Sequence, residues 1–156
     1  MKRFLACLVI LLLGSCTKIE ESHIPYAPVF LNLDLRFQDK DLVGLYNYKY
    51  ITTARNAGER TGFSGVLVVC GMDASGNISY FAFDLCCPHE ARKNITIEAD
   101  NAGKATCPEC GTVFDIGWGT GAPTEGVSKY PLRRYITIPQ STNGMEWIVK
   151  NKKITK

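Results

Sequence analysis

The sequence has no apolar run long enough to cross a membrane and no strong excess of charge of either sign. Its longest apolar run, Phe4–Leu13, has ten residues, whereas a membrane-spanning helix needs about 20. The net charge is +3, and removal of residues 1–15, which contain Lys2 and Arg3, lowers it to +1. Because no basic face is implied, the composition argues against nucleic acid as a partner.

Helical periodicity and catalytic constellations are also missing. No segment repeats apolar residues every three or four positions for long enough to predict a helix. Only two histidines are present, and no serine–histidine pair or pair of carboxylates stands out as an acid–base site. His23 has no partner nearby in the sequence and is given no role. We therefore expect an all-β protein that is not itself an enzyme.

The N-terminal segment is typical of an exported lipoprotein. Two basic residues precede the short apolar run, as in a secretory signal, and Leu13-Gly14-Ser15-Cys16 resembles the lipobox of bacterial lipoproteins. That resemblance implies cleavage before Cys16 and acylation of Cys16, with palmitate among the acyl chains, and more than one chain gives stable membrane attachment. The alternative is a plain cleaved signal peptide with an incidental cysteine behind it.

The chain is predicted to divide into three parts. Residues 1–15 form the signal peptide, residues 16–28 form a polar lipidated tether with two prolines, and residues 29–156 form one all-β domain. Thr17 takes the place of the acidic residue that retains some lipoproteins at the inner membrane. We therefore expect a protein anchored at the outer membrane, on the periplasmic side, of a Gram-negative bacterium.

The sequence of residues 29–156 predicts short strands. Leu31–Phe37 and Tyr46–Tyr50 alternate apolar and polar residues, while Val66–Cys70 is a continuous apolar run typical of a central strand. Asp100–Gly103 predicts a hairpin turn. These signals indicate a small antiparallel β-barrel or sandwich with hairpin excursions. Further strands are predicted at Tyr80–Leu85, Lys104–Cys107, Val113–Ile116, Tyr135–Ile138 and Trp147–Val149.

Cysteine usage indicates a metal site. Exported proteins usually pair their cysteines as disulfides, but the number left after the signal peptide and Cys16 are set aside is odd. Four of the remaining five lie in one stretch with a histidine, which is the pattern of a metal site. The fifth, inside an apolar run, predicts a buried core thiol. The five are Cys70, Cys86, Cys87, Cys107 and Cys110, and the histidine is His89.

Two tight turns carry the candidate ligands. In Cys107-Pro108-Glu109-Cys110-Gly111, proline fixes one backbone torsion and glycine tolerates the positive φ that lets the chain curl around an ion. Cys87-Pro88-His89 is a second turn of this kind. Two such turns on either side of a hairpin would place four ligands around one centre.

The order of these residues resembles the Rieske iron–sulfur family, whose pattern is Cys-x-His, a spacer of this size, and Cys-x-x-His-Gly followed by an aromatic residue. Gly119–Pro123 and Tyr130–Tyr135 resemble the loop and strand that close the cluster-binding subdomain in that family. The resemblance covers about residues 60 to 150. It implies a Rieske-like fold with a hairpin cluster-binding subdomain, a [2Fe–2S] cluster and electron transfer with an exported or membrane-bound redox partner.

The ligand assignment follows from the resemblance, with one departure from the family pattern. Cys87 and Cys107 take the inner iron, and His89 and Cys110 take the outer iron, where Cys110 replaces the family's second histidine. Three thiolates and one imidazole carry one more negative charge than two of each. Because negative charge disfavours an added electron, the potential should lie below the Rieske range of about −150 to +300 mV and above the roughly −400 mV of four-cysteine plant-type clusters.

Three alternatives stay open from the sequence. A structural zinc ion accepts the same Cys₃His ligands, and the lack of twin arginines in the signal argues against export of a folded iron protein. A metal-free domain with a Cys107–Cys110 disulfide is the second alternative. Cys86 is a possible alternative ligand, although adjacent residues on an extended chain point in opposite directions, which favours a core-facing thiol.

Overall fold

The computed structural model describes residues 23–152, so Cys16 and the lipobox lie outside the described residues. Within this range the chain forms eleven short strands and one 3₁₀ turn, η1 at Lys40–Leu42, and no α-helix. The all-β prediction is confirmed. The strands are β1 Val29–Asp34, β2 Tyr48–Ile51, β3 Arg60–Thr61, β4 Val66–Met72, β5 Ile78–Asp84, β6 Glu98–Ala99, β7 Lys104–Thr106, β8 Val113–Asp115, β9 Pro123–Glu125, β10 Arg134–Pro139 and β11 Glu146–Lys150.

Seven strands form one antiparallel sheet in the order β2-β4-β5-β10-β11-β1-β3. Strand β10 joins its two halves, because Arg134 and Tyr135 pair with β5 while Ile136–Pro139 pair with β11. Leu31 of β1 and Val66 of β4 share one buried core, although three strands lie between theirs in the sheet. Strands spaced about 4.8 Å apart bring such residues together only if the sheet curls, so this core is the inside of a partial barrel.

The other four strands form a small sheet in the order β6-β7-β8-β9. It covers the outer face of β4 and β5. Because side chains along β4 alternate between the two faces of the strand, Leu67 and Val69 point toward the small sheet while Val66 and Val68 point into the barrel. Leu67 and Phe83 from the large sheet pack against Ala105 and Phe114 from the small one. Burial of a phenylalanine side chain contributes about 1.5–3 kcal/mol, so this second core fixes the small sheet on the large one. The predicted hairpin subdomain is this small sheet.

Alternation predicted most strands but overshot some of their ends. The pattern through Phe37 suggested a longer β1, which ends at Asp34 because the chain turns there and the Asp39 amide donates to the Asp34 carbonyl. Tyr46 has a positive φ of 64°, so β2 begins at Tyr48. The two-residue β3 and the short β9 left no pattern long enough to detect. The described part of the chain contains no helix that is long and apolar enough to span a membrane.

Candidate metal centre

The two cysteine turns share one backbone geometry. The Ala91 amide donates to the Cys87 carbonyl at 2.9 Å, and the Gly111 amide donates to the Cys107 carbonyl at 2.9 Å. Each turn therefore starts at a Cys-Pro pair and closes four residues later, where φ is positive: 49° at Ala91 and 68° at Gly111. The positive φ predicted for Gly111 is confirmed. By position in the turn, Glu90 is the counterpart of Cys110.

The strands place both turns at the same end of the small sheet. The first turn follows β5 and is closed by a bridge between Cys86 and Thr96, just before β6. The second turn joins β7 to β8, and Thr106 at the end of β7 pairs with Glu98 at the start of β6. The hairpin predicted between the two turns thus holds them side by side.

The sulfur atoms of Cys87, Cys107 and Cys110 all lie within 4.8 Å of one another. The Sγ atoms of Cys87 and Cys110 are 3.7 Å apart. Two thiolates on one tetrahedral ion, with metal–sulfur bonds of about 2.3 Å, would be about 3.8 Å apart. The cluster is therefore able to hold a metal, and the described cysteines carry no disulfide in this structure.

Burial differs among the predicted ligands. Cys87 and Cys107 are fully buried in the second core, whereas Cys110 is half-buried. His89 is exposed and lies outside the group of converging sulfurs. The structure thus brings together three of the four predicted ligands and leaves the fourth at the surface of the first turn.

Cys86 is fully buried but is not part of the sulfur group. Its Sγ lies 3.4 Å from the Arg92 carbonyl oxygen and 3.5 Å from that of Cys87. Burial raises the pKa of Cys86 to about 11. The sequence predicted this core-facing placement of Cys86, because adjacent side chains on an extended chain point in opposite directions. Cys70 is likewise a buried core thiol, as predicted, with a pKa raised by burial.

The first turn aims backbone donors at its cysteine. Burial raises the pKa of Cys87 to about 12, while the amides of Glu90 and His89 donate to its sulfur and oppose that shift. Amide donors around a buried sulfur stabilise its thiolate form. These amides therefore reduce the cost of a negatively charged sulfur in the first turn, although burial still keeps the pKa of the Cys87 thiol raised.

Thr112 connects the second turn to the loop that covers it. Its Oγ1 accepts hydrogen bonds from the amides of Val127 at 3.2 Å and Ser128 at 3.1 Å and lies 3.3 Å from the Cys110 sulfur. Two amides occupy the acceptor sites of the hydroxyl, so its own proton is left to point at the sulfur. Burial opposes ionisation of Cys110, but bonds from the Thr112 hydroxyl and amide outweigh it and lower the pKa.

Residues 126–133, here called the closing loop, reach Thr112 because of a glycine. Gly126 has a φ of 99°, and a Cβ at this position would lie 2.6 Å from the Thr112 Cα atom. Any other residue would push the loop away and strain the backbone. Sequence reasoning noted Gly119–Pro123 and Tyr130–Tyr135 but gave no role to Gly126 or Thr112, since their pairing depends on contact between separate loops.

The start of the first turn is fixed by a buried carboxylate. Asp84 Oδ1 accepts from the amides of Cys86 at 2.9 Å and Ser64 at 3.2 Å. Its Oδ2 accepts from the Phe63 amide at 2.9 Å and from the Tyr135 hydroxyl at 2.6 Å. Four donors satisfy a carboxylate that is entirely buried. Asp84 therefore ties the cysteine turn to β10 and to the loop before β4.

The first described residues form a strap, residues 23–28, that packs on the closing loop. The His23 and Tyr130 rings lie 4.3 Å apart between centroids, and Arg133 Nη2 donates to the Ile24 carbonyl. Ile24 is 2% exposed. At least this part of the segment predicted as a tether is docked on the domain, and His23, given no role from the sequence, contacts the loop next to the cysteines.

The donor set fits a thiophilic metal. Three sulfur ligands suit zinc or an iron–sulfur centre rather than a cation that prefers oxygen. Gathering thiolates in a buried place is costly unless a cation compensates their charge, and the amide and hydroxyl donors at Cys87 and Cys110 are directed at charged sulfur. The residues present are therefore able to hold either metal centre.

No family model and no curated protein matches the chain. Among solved structures, one similar chain comes from a structure described as a complex of reduced oxygenase and oxidized ferredoxin in carbazole 1,9a-dioxygenase. The two chains are 16% identical, with a TM-score of 0.49, over 81% of this chain and 98% of that chain. Similarity at this level does not transfer a family or a function to the present protein.

Proposed function

We propose that the protein is a membrane-tethered electron carrier in which Cys87, His89, Cys107 and Cys110 hold a [2Fe–2S] cluster. The observation that carries the proposal is the convergence of three thiols from two equivalent turns. Their burial follows the order of an inner and an outer iron. The pair assigned to the inner iron is buried, and the pair assigned to the outer iron is half-buried or exposed.

The chain's own residues do three things at this centre. Backbone amides of the first turn stabilise the Cys87 thiolate, and the second core keeps water away from Cys87 and Cys107. The hydroxyl of Thr112 stabilises the Cys110 thiolate at the edge of the site. Because His89 lies outside the group of converging sulfurs, its side chain would have to turn toward the cysteines in order to bind. When bound, the cluster supplies one-electron redox chemistry, with electrons exchanged at the exposed edge.

Hydrogen bonds and net charge act on the potential in opposite directions. The third thiolate lowers it relative to a two-histidine centre, whereas donors to the ligand sulfurs raise it by stabilising the reduced form. We place the potential between about −400 mV and the lower Rieske values near −150 mV. Replacement of Cys110 by histidine should therefore raise it.

Structural zinc is the second candidate, and one distance favours it. The 3.7 Å separation of the Cys87 and Cys110 sulfurs is that of two ligands on a single ion, whereas the family pattern assigns these two residues to different irons. A zinc ion held by the three thiols and His89 would stabilise the turns without any redox role.

Metal and sulfide analysis with an absorption spectrum tests the proposal. The full chain is purified anaerobically from membranes, and residues 17–156 are produced in the cytoplasm, where clusters are inserted before export. Two irons and two sulfides per chain, with visible bands that bleach on reduction, support the electron carrier. One zinc without visible bands supports the second candidate. Protein without metal from both sources overturns both. The matched control for Cys110→His is Cys70→Ser, which lies in the other core and should leave the potential unchanged.

A further inference from the structure

The strap and the metal site lie at the same end of the protein. From His23, a short series of contacts leads to the cysteines: its ring packs on Tyr130, whose carbonyl accepts from the Ser128 hydroxyl at 3.0 Å. The Ser128 amide donates to Thr112, and Thr112 contacts the Cys110 sulfur. Four adjoining contacts thus separate the first described side chain from a predicted ligand.

The tether between the lipid site and this strap is short. Seven Cα–Cα steps join Cys16 to His23, and a fully extended chain covers at most about 3.6 Å per step, or about 25 Å in all. A domain of this size has a radius of gyration of about 14 Å and hence a width of about 36 Å. If Cys16 carries lipid, the tether is shorter than the domain is wide, so the end bearing His23 stays near the membrane.

The same end presents side chains suited to a lipid surface. Tyr26 in the strap is 62% exposed and Val127 in the closing loop is 59% exposed. Tyrosine is favoured at the headgroup level of membranes, where its ring is buried and its hydroxyl stays in water. The basic residues Arg92, Lys93 and Lys129 are balanced by Glu90, Glu109 and Glu125, and Arg92 is paired with Glu90 and Glu109. Seating on the membrane therefore depends on the short tether and the apolar contacts rather than on net charge.

We propose that the end formed by the strap, the closing loop and the cysteine turns is the membrane-facing surface of the protein. Its ligand is the lipid headgroup layer, and an electron partner is reached in the plane of the membrane. The orientation itself rests on lipid attachment at Cys16, and the statement about the electron partner also rests on the proposed function. The strap is then the part of the chain that fixes the metal site relative to the bilayer.

Hydrogen–deuterium exchange on the full lipidated chain tests this orientation. The protein is reconstituted in nanodiscs of phosphatidylethanolamine and phosphatidylglycerol and compared with the same protein in detergent. We expect slower amide exchange in residues 107–112 and 126–133 in nanodiscs. The control is a variant with a twenty-residue Gly-Ser insertion after Glu21, which keeps the anchor and the domain but releases the length restraint. Protection of the two segments should be lost in that variant.

Each outcome bears on one part of the idea. Protection of other segments, or of none, in a chain whose mass shows lipid on Cys16 overturns the orientation. The same holds if the insertion variant keeps full protection. A chain without lipid on Cys16 overturns it as well. Iron and sulfide are measured in the same sample, so failure of the electron-carrier proposal is detected separately from failure of the orientation.

Discussion

The sulfur atoms of Cys87 and Cys110 lie 3.7 Å apart although the two residues are 23 positions apart in the chain. They come from different turns, and the small sheet holds those turns together. In a metal-free protein this contact brings two thiols to a distance at which they can react. The sequence alone had suggested Cys107 and Cys110 as the pair that would oxidise, since they belong to one Cys-x-x-Cys turn.

Oxidised glutathione should therefore convert the metal-free full chain to a form with a Cys87–Cys110 disulfide. One thiolate attacks the reagent to form a mixed disulfide, and the second displaces glutathione, so the protein loses two hydrogens while the reagent is reduced to two thiols. Peptide mapping by mass spectrometry identifies the pair. Buried Cys70, whose pKa is raised by burial, should stay reduced and serves as the internal control. A Cys107–Cys110 product would contradict the prediction.

Substitution of Thr112 by valine should weaken the site more than its small change in shape suggests. It leaves the Val127 and Ser128 amides without their acceptor, at a cost of about 1–3 kcal/mol for a buried donor, and removes the donor to Cys110. Chemical denaturation reports the first effect, and a shift of the sulfur-to-metal charge-transfer band in the cobalt-substituted protein reports the second.

Two matched variants separate the effect of the Thr112 hydroxyl from the effect of its side-chain packing. Thr112→Ser keeps the hydroxyl and should restore the charge-transfer band. Thr124→Val removes an exposed threonine hydroxyl on β9 and should change stability by no more than about 0.5 kcal/mol. If Thr112→Val and Thr112→Ser give the same band, the hydroxyl does not act on Cys110.

Substitution of Tyr135 by phenylalanine should lower stability at neutral pH by about 1.5–3 kcal/mol, because the buried Asp84 carboxylate loses one of its donors. Burial raises the pKa of Tyr135 above its ordinary value of 10.0. The folded protein thus keeps the phenol protonated while the unfolded chain ionises. Its stabilising contribution is complete below pH 10 and declines as pH rises further, so the variant should lose that part of the alkaline decline.

Urea denaturation of both proteins between pH 7 and pH 11 measures the difference. Cys86 and Cys87, whose pKa values burial raises to about 11 and about 12, contribute a decline common to both chains, so only the difference between the curves is informative. Tyr26→Phe, at an exposed position, is the control. Parallel curves for Tyr135→Phe and the parent chain would show that the pKa of Tyr135 is the same in the folded and unfolded states.

Truncation of Ile24 to alanine should destabilise the protein by about 2–5 kcal/mol, because the side chain of this strap residue is buried. Release of the strap should also speed amide exchange in the closing loop and loss of metal to a chelator. Ile78→Ala, at an exposed position, is the matched control and should have little effect on either. Equal exchange rates for the two variants would show that the strap does not hold the closing loop.

Local patterns predicted those parts of the fold that repeat over several residues. Apolar alternation located β1 and β2, and the turn signal at Asp100–Gly103 located the hairpin between β6 and β7. The Cys-Pro start and the closing Gly111 predicted a turn locally, whereas the choice of Cys87, Cys107 and Cys110 as ligands followed from the resemblance to the Rieske family. The position of His89 at the surface was not predictable in this way, since the spacing of residues in the sequence does not determine the orientation of a single side chain.

Contacts between segments distant in sequence were not predictable. The Thr112 hydroxyl meets amides 15 and 16 positions away, and the Arg133 guanidinium meets the Ile24 carbonyl 109 positions away. No periodicity encodes such pairs, which depend on how the sheets pack. For the same reason the sequence did not predict the contacts of residues 23–28 with the domain, because this polar, proline-containing stretch resembles a linker.

The equivalence of the two cysteine turns has a consequence for how such a centre changes over evolution. One backbone shape occurs twice, and the fourth position of the turn holds Glu90 in one copy and Cys110 in the other. The scaffold thus already accepts two different side chains at the same place. A single exchange at this position alters the number of sulfur ligands without altering the chain path. Selection for a different metal, or for none, would act on one residue while the fold stays intact.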